Sequence, residues 1–365
     1  ISGLNYFLLI ELPFLRKVLP SICGLVFLLC FTSFALILMF GGGPASSTLE
    51  VAIYYAIRSD FDLSSASRLV LIQIIICFFI VYLISLAGLN NKSVTLNNSS
   101  QSNQFFLTLN SYLFDKFIII LFSIYIFGPI ILIIISGLNY KNLFSLFNPF
   151  VLKVFITSIF IALISSFITF VLAWIISSSR AELTIKKINF KNKLLINILD
   201  LSTILYLLVP SIVLGISLYF FLNSFIEFKY LIPLIIIISN VLFSLPFASK
   251  IIFSKMFFLK IKNDKICKNL GIRGFYRFLI IDFPCLKKEI AFALGITSCL
   301  SLGDLGAIAL FGNNDFQTIP WLIYSYMSSY RMEEASSLAF LLLILCVLFF
   351  FILNYLIVGK SAKNP

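Results

Sequence analysis

Gly3-Leu4-Asn5-Tyr6-Phe7-Leu8-Leu9-Ile10-Glu11-Leu12-Pro13-Phe14-Leu15-Arg16-Lys17 returns in outline as Gly274-Phe275-Tyr276-Arg277-Phe278-Leu279-Ile280-Ile281-Asp282-Phe283-Pro284-Cys285-Leu286-Lys287-Lys288. At one constant offset Gly3, Phe7, Leu8, Ile10, Pro13, Leu15 and Lys17 meet Gly274, Phe278, Leu279, Ile281, Pro284, Leu286 and Lys288. Charge sign is kept where Glu11 faces Asp282 and Arg16 faces Lys287. Each copy opens into a long apolar run, and the same offset brings Phe40-Gly41 onto Phe311-Gly312. A basic loop with the span after it is written twice, the layout expected of a transporter built from two related halves.

Composition decides the solvent. Of the 365 residues 61% are hydrophobic and 12% charged, with a mean hydropathy of +1.08, more apolar surface than a water-soluble core of this size can hide. Runs of about 20 apolar residues match about 30 Å of hydrocarbon. Eight are expected, near 18–40, 68–89, 116–137, 151–177, 197–223, 230–249, 289–311 and 335–358. The fold class is an all-α integral membrane protein. Pro129, Pro210, Gly215 and Pro246 fall within these runs, which a helix bundle tolerates where neighbours recover the freed backbone groups.

Lys and Arg orient the bundle. With a cytoplasmic N-terminus, 21 of the 27 basic residues fall on the cytoplasmic side, ten of them between Lys250 and Lys288. The opposite side keeps only Arg58, Arg68, Lys141, Lys153, Lys229 and Arg331. The positive-inside rule then places both termini in the cytoplasm and accounts for the net charge of +12 with no nucleic acid as partner.

None of the seven cysteines falls in a segment expected to face an oxidising compartment: five lie within spans, and Cys267 and Cys285 lie in the basic loop. There is no His and no CxxC pair, so no metal site and no cofactor is expected. The chain begins on Ile and reads as the C-terminal part of a longer protein.

Residues 90–115, rich in Asn, Ser and Gln, lack apolar periodicity and read as a linker. The expected organisation is the end of a first loop at 1–17, two spans of an N-terminal half at 18–89, the linker at 90–115, a six-span half at 116–358 and a tail at 359–365. The loop 250–288 lies within that second half. There Ile261–Leu270 could form a short interfacial helix, Gly271 and Gly274 a sharp turn in the left-handed region, and a second short helix would close at Pro284. A basic solvated loop with incidental glycines is the plainer alternative, weakened by the second copy at Ile10-Glu11-Leu12-Pro13.

These residues resemble a known family. Gly271, nine residues, then Ile281-Asp282-Phe283-Pro284 looks like the cytoplasmic coupling motif of ABC importer permeases, Glu-Ala-Ala, three residues, Gly, nine residues, Ile-x-Leu-Pro. The first copy keeps Ile10, Leu12 and Pro13. Ser301-Leu302-Gly303-Asp304-Leu305-Gly306, Ala309-Leu310-Phe311-Gly312-Asn313, Asp315-Phe316 and Ser329-Tyr330-Arg331 look like the thiamine importer permeases, as does Gly41-Gly42-Gly43-Pro44 with Thr48-Leu49-Glu50. The resemblance implies a type I permease bundle with cytoplasmic coupling loops, a cytoplasmic ABC ATPase, present as a dimer, as partner, and a periplasmic substrate-binding protein on the other face. It also implies a small-molecule substrate, thiamine or its phosphates, crossing a bacterial inner membrane amid lipid. Lys265, Ile266 and Cys267 stand where the motif has Glu-Ala-Ala, a cation in place of the acid. Iron(III) importers of the same fused plan, or an ion-coupled secondary transporter, are the alternatives.

No GxxxxGK[ST] occurs, so ATP hydrolysis is expected in another subunit. A secondary transporter would place ionisable groups near the midplane, and an embedded enzyme would cluster carboxylates or His. The spans hold Asp200 near one end and Asp304 part-way through the seventh; Asp60-Phe61-Asp62 and Glu333-Glu334 read as solvated charges before helices. Asp304 either lines a translocation path and favours a cationic substrate or holds a neighbouring helix by hydrogen bonding.

Overall fold

The computed structural model describes residues 8–9, 12–41, 47–88, 109–138, 148–185, 190–209, 211–225, 228–272, 274–312 and 316–359. Most of the expected linker, 90–108, and the tail from residue 360 lie outside them. Among the described residues the fold is all helical. Its helices are α1 (Leu12–Phe31), α2 (Ala35–Phe40), α3 (Leu49–Arg58), α4 (Leu63–Gly88), α5 (Leu109–Gly137), α6 (Pro149–Ile185) and α7 (Phe190–Leu208). There follow α8 (Ser211–Leu222), α9 (Phe228–Asn269), α10 (Gly274–Arg277), α11 (Phe283–Gly303), α12 (Gly306–Phe311), α13 (Ile319–Ser328) and α14 (Met332–Val358).

Among the described residues, six helical stretches are long and apolar enough to cross a bilayer: Leu63–Ile80, Asp115–Gly137, Pro149–Ile185, Tyr230–Cys267, Gly274–Phe311 and Met332–Val358. Three of the eight expected spans are interrupted. The run 18–40 breaks between α1 and α2 at Thr32–Phe34, the run 197–223 breaks between α7 and α8, and the run 289–311 breaks between α11 and α12 at Asp304–Leu305. Hydropathy alone cannot see such breaks, because one or two polar residues barely change the mean of a window of about 19.

The duplication extends to individual main-chain hydrogen bonds. At an offset of 271, α1 and α2 fall on α11 and α12. Leu38 N–H donates to Phe34 O and Gly41 N–H to Ile37 O; at that offset Ala309 donates to Leu305 O and Gly312 to Ile308 O. Leu8 and Leu9 share the π-helical conformation of Leu279 and Ile280. Beyond the short helices the offset falls by one and then two: α3 matches α13, with Thr48 and Thr318 preceding them, and α4 matches α14. The non-glycine residues with positive φ, Phe61 and Tyr330, mark the same corner in each half.

Small residues hold the second half together. On α6, Ser158, Ala162, Ser165, Thr169, Ala173, Ser177 and Ala181 are buried at three- and four-residue spacing, one face of a helix. Backbones approach closely there, and hydroxyls bond across the contact: Ser165 Oγ donates to Ser301 Oγ at 2.8 Å, Thr169 and Ser244 hydroxyls meet at 2.9 Å, and Ser177 Oγ donates to Ser249 O at 3.1 Å. In contrast, α5 keeps its apolar side chains outward, with Ile124, Tyr125 and Leu132 exposed, as a lipid-facing helix must.

The 37 residues of α6 and 42 of α9 reach about 55 and 63 Å at about 1.5 Å per residue, well beyond the hydrocarbon. The segment Ile261–Leu270 is therefore not a separate interfacial helix: through Asn269 it is the end of α9, because nothing in it breaks a helix before Gly271. Nor does Pro284 close a helix. It sits at the start of α11, where its missing N–H costs nothing. Leu109 opens α5, inside the stretch expected as linker.

Candidate functional site

The two breaks face one another. Thr32, Ser33 and Phe34 of the first, with Gly303, Asp304 and Leu305 of the second, line a cavity of about 310 Å³ completed by residues such as Ser211, Phe243 and Cys299. Its wall is polar where the helices stop and apolar elsewhere. At the first break Thr32 keeps both its N–H and its hydroxyl on Leu28 O, at 2.9 and 2.8 Å. At the second the backbone of Asp304 is extended, φ −75° and ψ 126°. Its Oδ1 accepts the Gly306 N–H at 3.2 Å. Ser33 holds the corresponding place in the first half, so the acid is contributed from one side only. Asp304 is the one charged residue lining the cavity among those described.

Two glycines set the width of this region. A Cβ on Gly306 would lie 1.8 Å from Ser211 Oγ, and one on Gly215 would lie 3.3 Å from the Phe311 ring. The starts of α8 and α12 thus meet without an intervening side chain, and Tyr219 stacks on Phe311 at 5.5 Å between centroids. Sequence reasoning singled out Asp304 and missed Thr32 and Ser33, which the pseudo-symmetry of the breaks brings opposite it, and Ser211, which the start of α8 brings against Gly306.

The second expected site is the turn after α9. Gly271 and Gly274 both take left-handed φ, +67° and +60°. Lys265 and Ile266 are exposed, Cys267 is 1% exposed, Ile281 is half-buried and Pro284 exposed. Cys267 therefore packs inward. In the first copy Ile10 lies outside the described residues, while Leu12 and Pro13 begin α1 as Phe283 and Pro284 begin α11. Exposed Leu270, Phe275 and Tyr276 surround the turn.

Ion pairs that the sequence did not reveal fix this corner. Arg277 donates from Nη1 to Asp264 Oδ1 at 2.9 Å, and its Nε lies 3.5 Å from Asp282 Oδ2. The end of α9 is thereby tied to the π-helical turn Phe278–Asp282 that leads into α11. Beside it Lys260, with 4% of its side chain exposed, donates to Glu182 Oε1 at 2.7 Å and to Ser178 O at 2.8 Å. The acid nearest Lys265 in sequence is Asp264, one residue ahead of it. It is engaged within the chain.

Other singled-out acids have structural partners. Asp200 binds Arg180 in two places, 2.8 and 3.0 Å. Asp62 accepts the Ser64 and Ser65 N–H groups at the start of α4. Those bonds, that from Ser65 foremost, hold its carboxyl below the usual carboxylate range. Glu334 pairs with Arg331.

No family model matches the chain. It is 33% identical over 363 residues to the thiamine transport system permease protein ThiP of Escherichia coli (strain K12), covering 99% of this chain and 66% of that protein. The ThiP of Salmonella typhimurium is 32% identical over 365 residues, 99% of this chain and 66% of its own length. That of Brucella abortus (strain 2308) is 33% identical over 341 residues, 93% and 62% respectively. The chain spans about two thirds of the length of the curated relatives it matches. With that identity over 93–99% of its residues, the chain belongs to the family of the bacterial thiamine transport system permease proteins.

Proposed function

We propose that this chain is the membrane-spanning part of an ATP-driven importer that carries thiamine or its phosphates across a bacterial inner membrane. The observation that carries the reading is the pair of pseudo-symmetric helix breaks enclosing a cavity whose one charged lining residue, among those described, is Asp304. Discontinuous helices at a repeat interface are where transporters hold substrate, and a carboxylate there favours a cation over a neutral or anionic solute.

A separate cytoplasmic ATPase dimer docks on the Gly271 corner of the second half and on its counterpart around Ile10, Leu12 and Pro13. Exposed Lys265, Ile266, Leu270, Phe275 and Tyr276 offer a basic and apolar face, so the matching ATPase surface is acidic and apolar. A periplasmic binding protein delivers substrate from the opposite side, and both termini are cytoplasmic. ATP-driven closure moves the corner. Arg277 and the π-helical turn pass that motion to α11, whose 21 residues span about 30 Å at about 1.5 Å per residue and end at Asp304. Displacing the two broken helices in opposite senses opens the cavity to one side at a time.

Uptake of labelled thiamine into vesicles containing the permease, ATPase and binding protein tests this. Transport should require ATP and survive an uncoupler; uptake that persists without the ATPase and collapses with the proton gradient overturns it in favour of a secondary transporter.

A further inference from the structure

Glu50, in the first turn of α3, is 1% exposed, and Gln73 opposite it on α4 is fully buried. Gln73 Nε2 donates to Glu50 Oε1 at 3.3 Å. In this hydrogen-bonded pair Glu50 Oε2 and Gln73 Oε1 are buried and have no hydrogen-bond partner among the described residues. Two buried acceptors left without a donor in one bonded pair form a costly arrangement. One proton resolves it. A carboxylic acid and a primary amide join in a ring of two hydrogen bonds, N–H to C=O one way and O–H to C=O the other.

We infer that Glu50 is held as the neutral acid, donating to Gln73 Oε1, and that this ring positions α3 against α4 and thereby the wall of the cavity. Tyr54, one turn along α3, packs on Phe34 with ring centroids 5.4 Å apart, and Phe34 lines the cavity. Glu50 itself does not line it, so its role is positioning. A carboxylate early in a helix is ordinarily favoured as the anion. Here burial prevails and, with the Asp304 charge adding to it against the Gln73 bond, pushes the Glu50 carboxyl up to about 8. The titratable groups facing it are Cys77 on α4 and Asp304 at the second break. Since the raised value favours the protonated form in the fold, the ring is intact at neutral pH and opens as pH rises through about 8.

The infrared difference between the wild type and Glu50→Gln, taken on the purified full chain, reads the proton directly. It should show a protonated-acid carbonyl stretch at pH 7 that gives way to carboxylate bands at about pH 9. Carboxylate bands already at pH 7 overturn the inference, whatever the chain transports. The functional arm rests on the transport reading above. Glutamine at position 50 can close the same ring as an amide pair at any pH, so Glu50→Gln should transport at the wild-type rate at pH 7 and stay flat to about pH 9, while wild-type uptake falls several-fold. Wild type and Glu50→Gln with the same pH profile, or Glu50→Gln inactive at pH 7 at normal protein level, overturn the positioning role.

Discussion

Arg58 donates from Nη1 to the main-chain carbonyl of Leu310 at 2.6 Å, across 252 residues. The bond joins the end of α3 in the first half to the last turn of α12 in the second, where carbonyls lack intrahelical donors and favour a cation. In the second half Ser328 takes the corresponding place and its hydroxyl turns back to Ser325 O, so the tie exists on one side only. Arg58→Ala should cost about 1 kcal/mol, the worth of a partly solvated charged hydrogen bond. Thermal unfolding in detergent reads the cost, and Arg58→Lys should restore only part of it. An unchanged midpoint for Arg58→Ala would show that the contact contributes nothing.

Gly306 and Gly303 flank the break, and their environments predict opposite outcomes. Alanine at Gly306 drives a methyl into Ser211, at 1.8 Å from Oγ and 2.7 Å from Cβ, and should cost about 1–3 kcal/mol through overpacking. Alanine at Gly303 meets nothing within 4 Å and should leave folded yield unchanged. Gly306→Ala combined with Ser211→Gly should regain most of the loss; equal yields for the two single variants would refute the close approach.

At Gly271 the expected cost is conformational. A Cβ there would meet no atom within 4 Å, but φ is +67°. Valine there should strain the turn by about 1 kcal/mol or more, and asparagine by less. Membrane insertion should survive while ATPase co-purification and uptake weaken in the order Gly, Asn, Val. Full pull-down by the Val variant would remove the corner from the docking surface.

Arg277 balances two acids, and its side chain is 14% exposed against 9% for Asp282. Removing it strands Asp282, so Arg277→Ala should destabilise by several kcal/mol, whereas Arg277→Met with Asp264→Asn and Asp282→Asn should recover much of that. A double-mutant cycle on Arg277 and Asp264, read by unfolding, should give a coupling above about 0.5 kcal/mol. Additive losses would mean that the pair is incidental.

What could be read before the structure was whatever depends on composition and local pattern. The apolar runs announced the helices, the repeated Gly to Lys stretch announced the halves, and Gly271 and Gly274 announced the turn, because only a local conformation was at stake. Breaks at Ser33 and Asp304 stayed hidden because one or two polar residues barely change the mean hydropathy of a span-length window. The lysines and acid of Ile261–Leu270 suggested a separate helix, though helix propensity alone lets α9 continue. Glu50 gave no sign of its pairing with Gln73 because its burial comes from α4, which lies beyond the reach of any local window.

Asp304 carries the last prediction. Its Oδ1 already serves the fold by accepting the Gly306 N–H at 3.2 Å, and asparagine can keep that bond while removing the charge. If the acid only holds α12 in place, Asp304→Asn should fold and transport like the wild type. If the carboxylate draws the cation into the cavity, assembly and ATPase binding should persist while uptake falls about tenfold or more, equivalent to about 1.4 kcal/mol of lost ion pairing. The loss should appear in the concentration for half-maximal uptake where substrate capture limits transport. Asp304→Ala removes the bond as well as the charge and should also lower folded yield. Wild-type uptake by the Asn variant across substrate concentrations, at wild-type protein level, would leave Asp304 with the structural role alone.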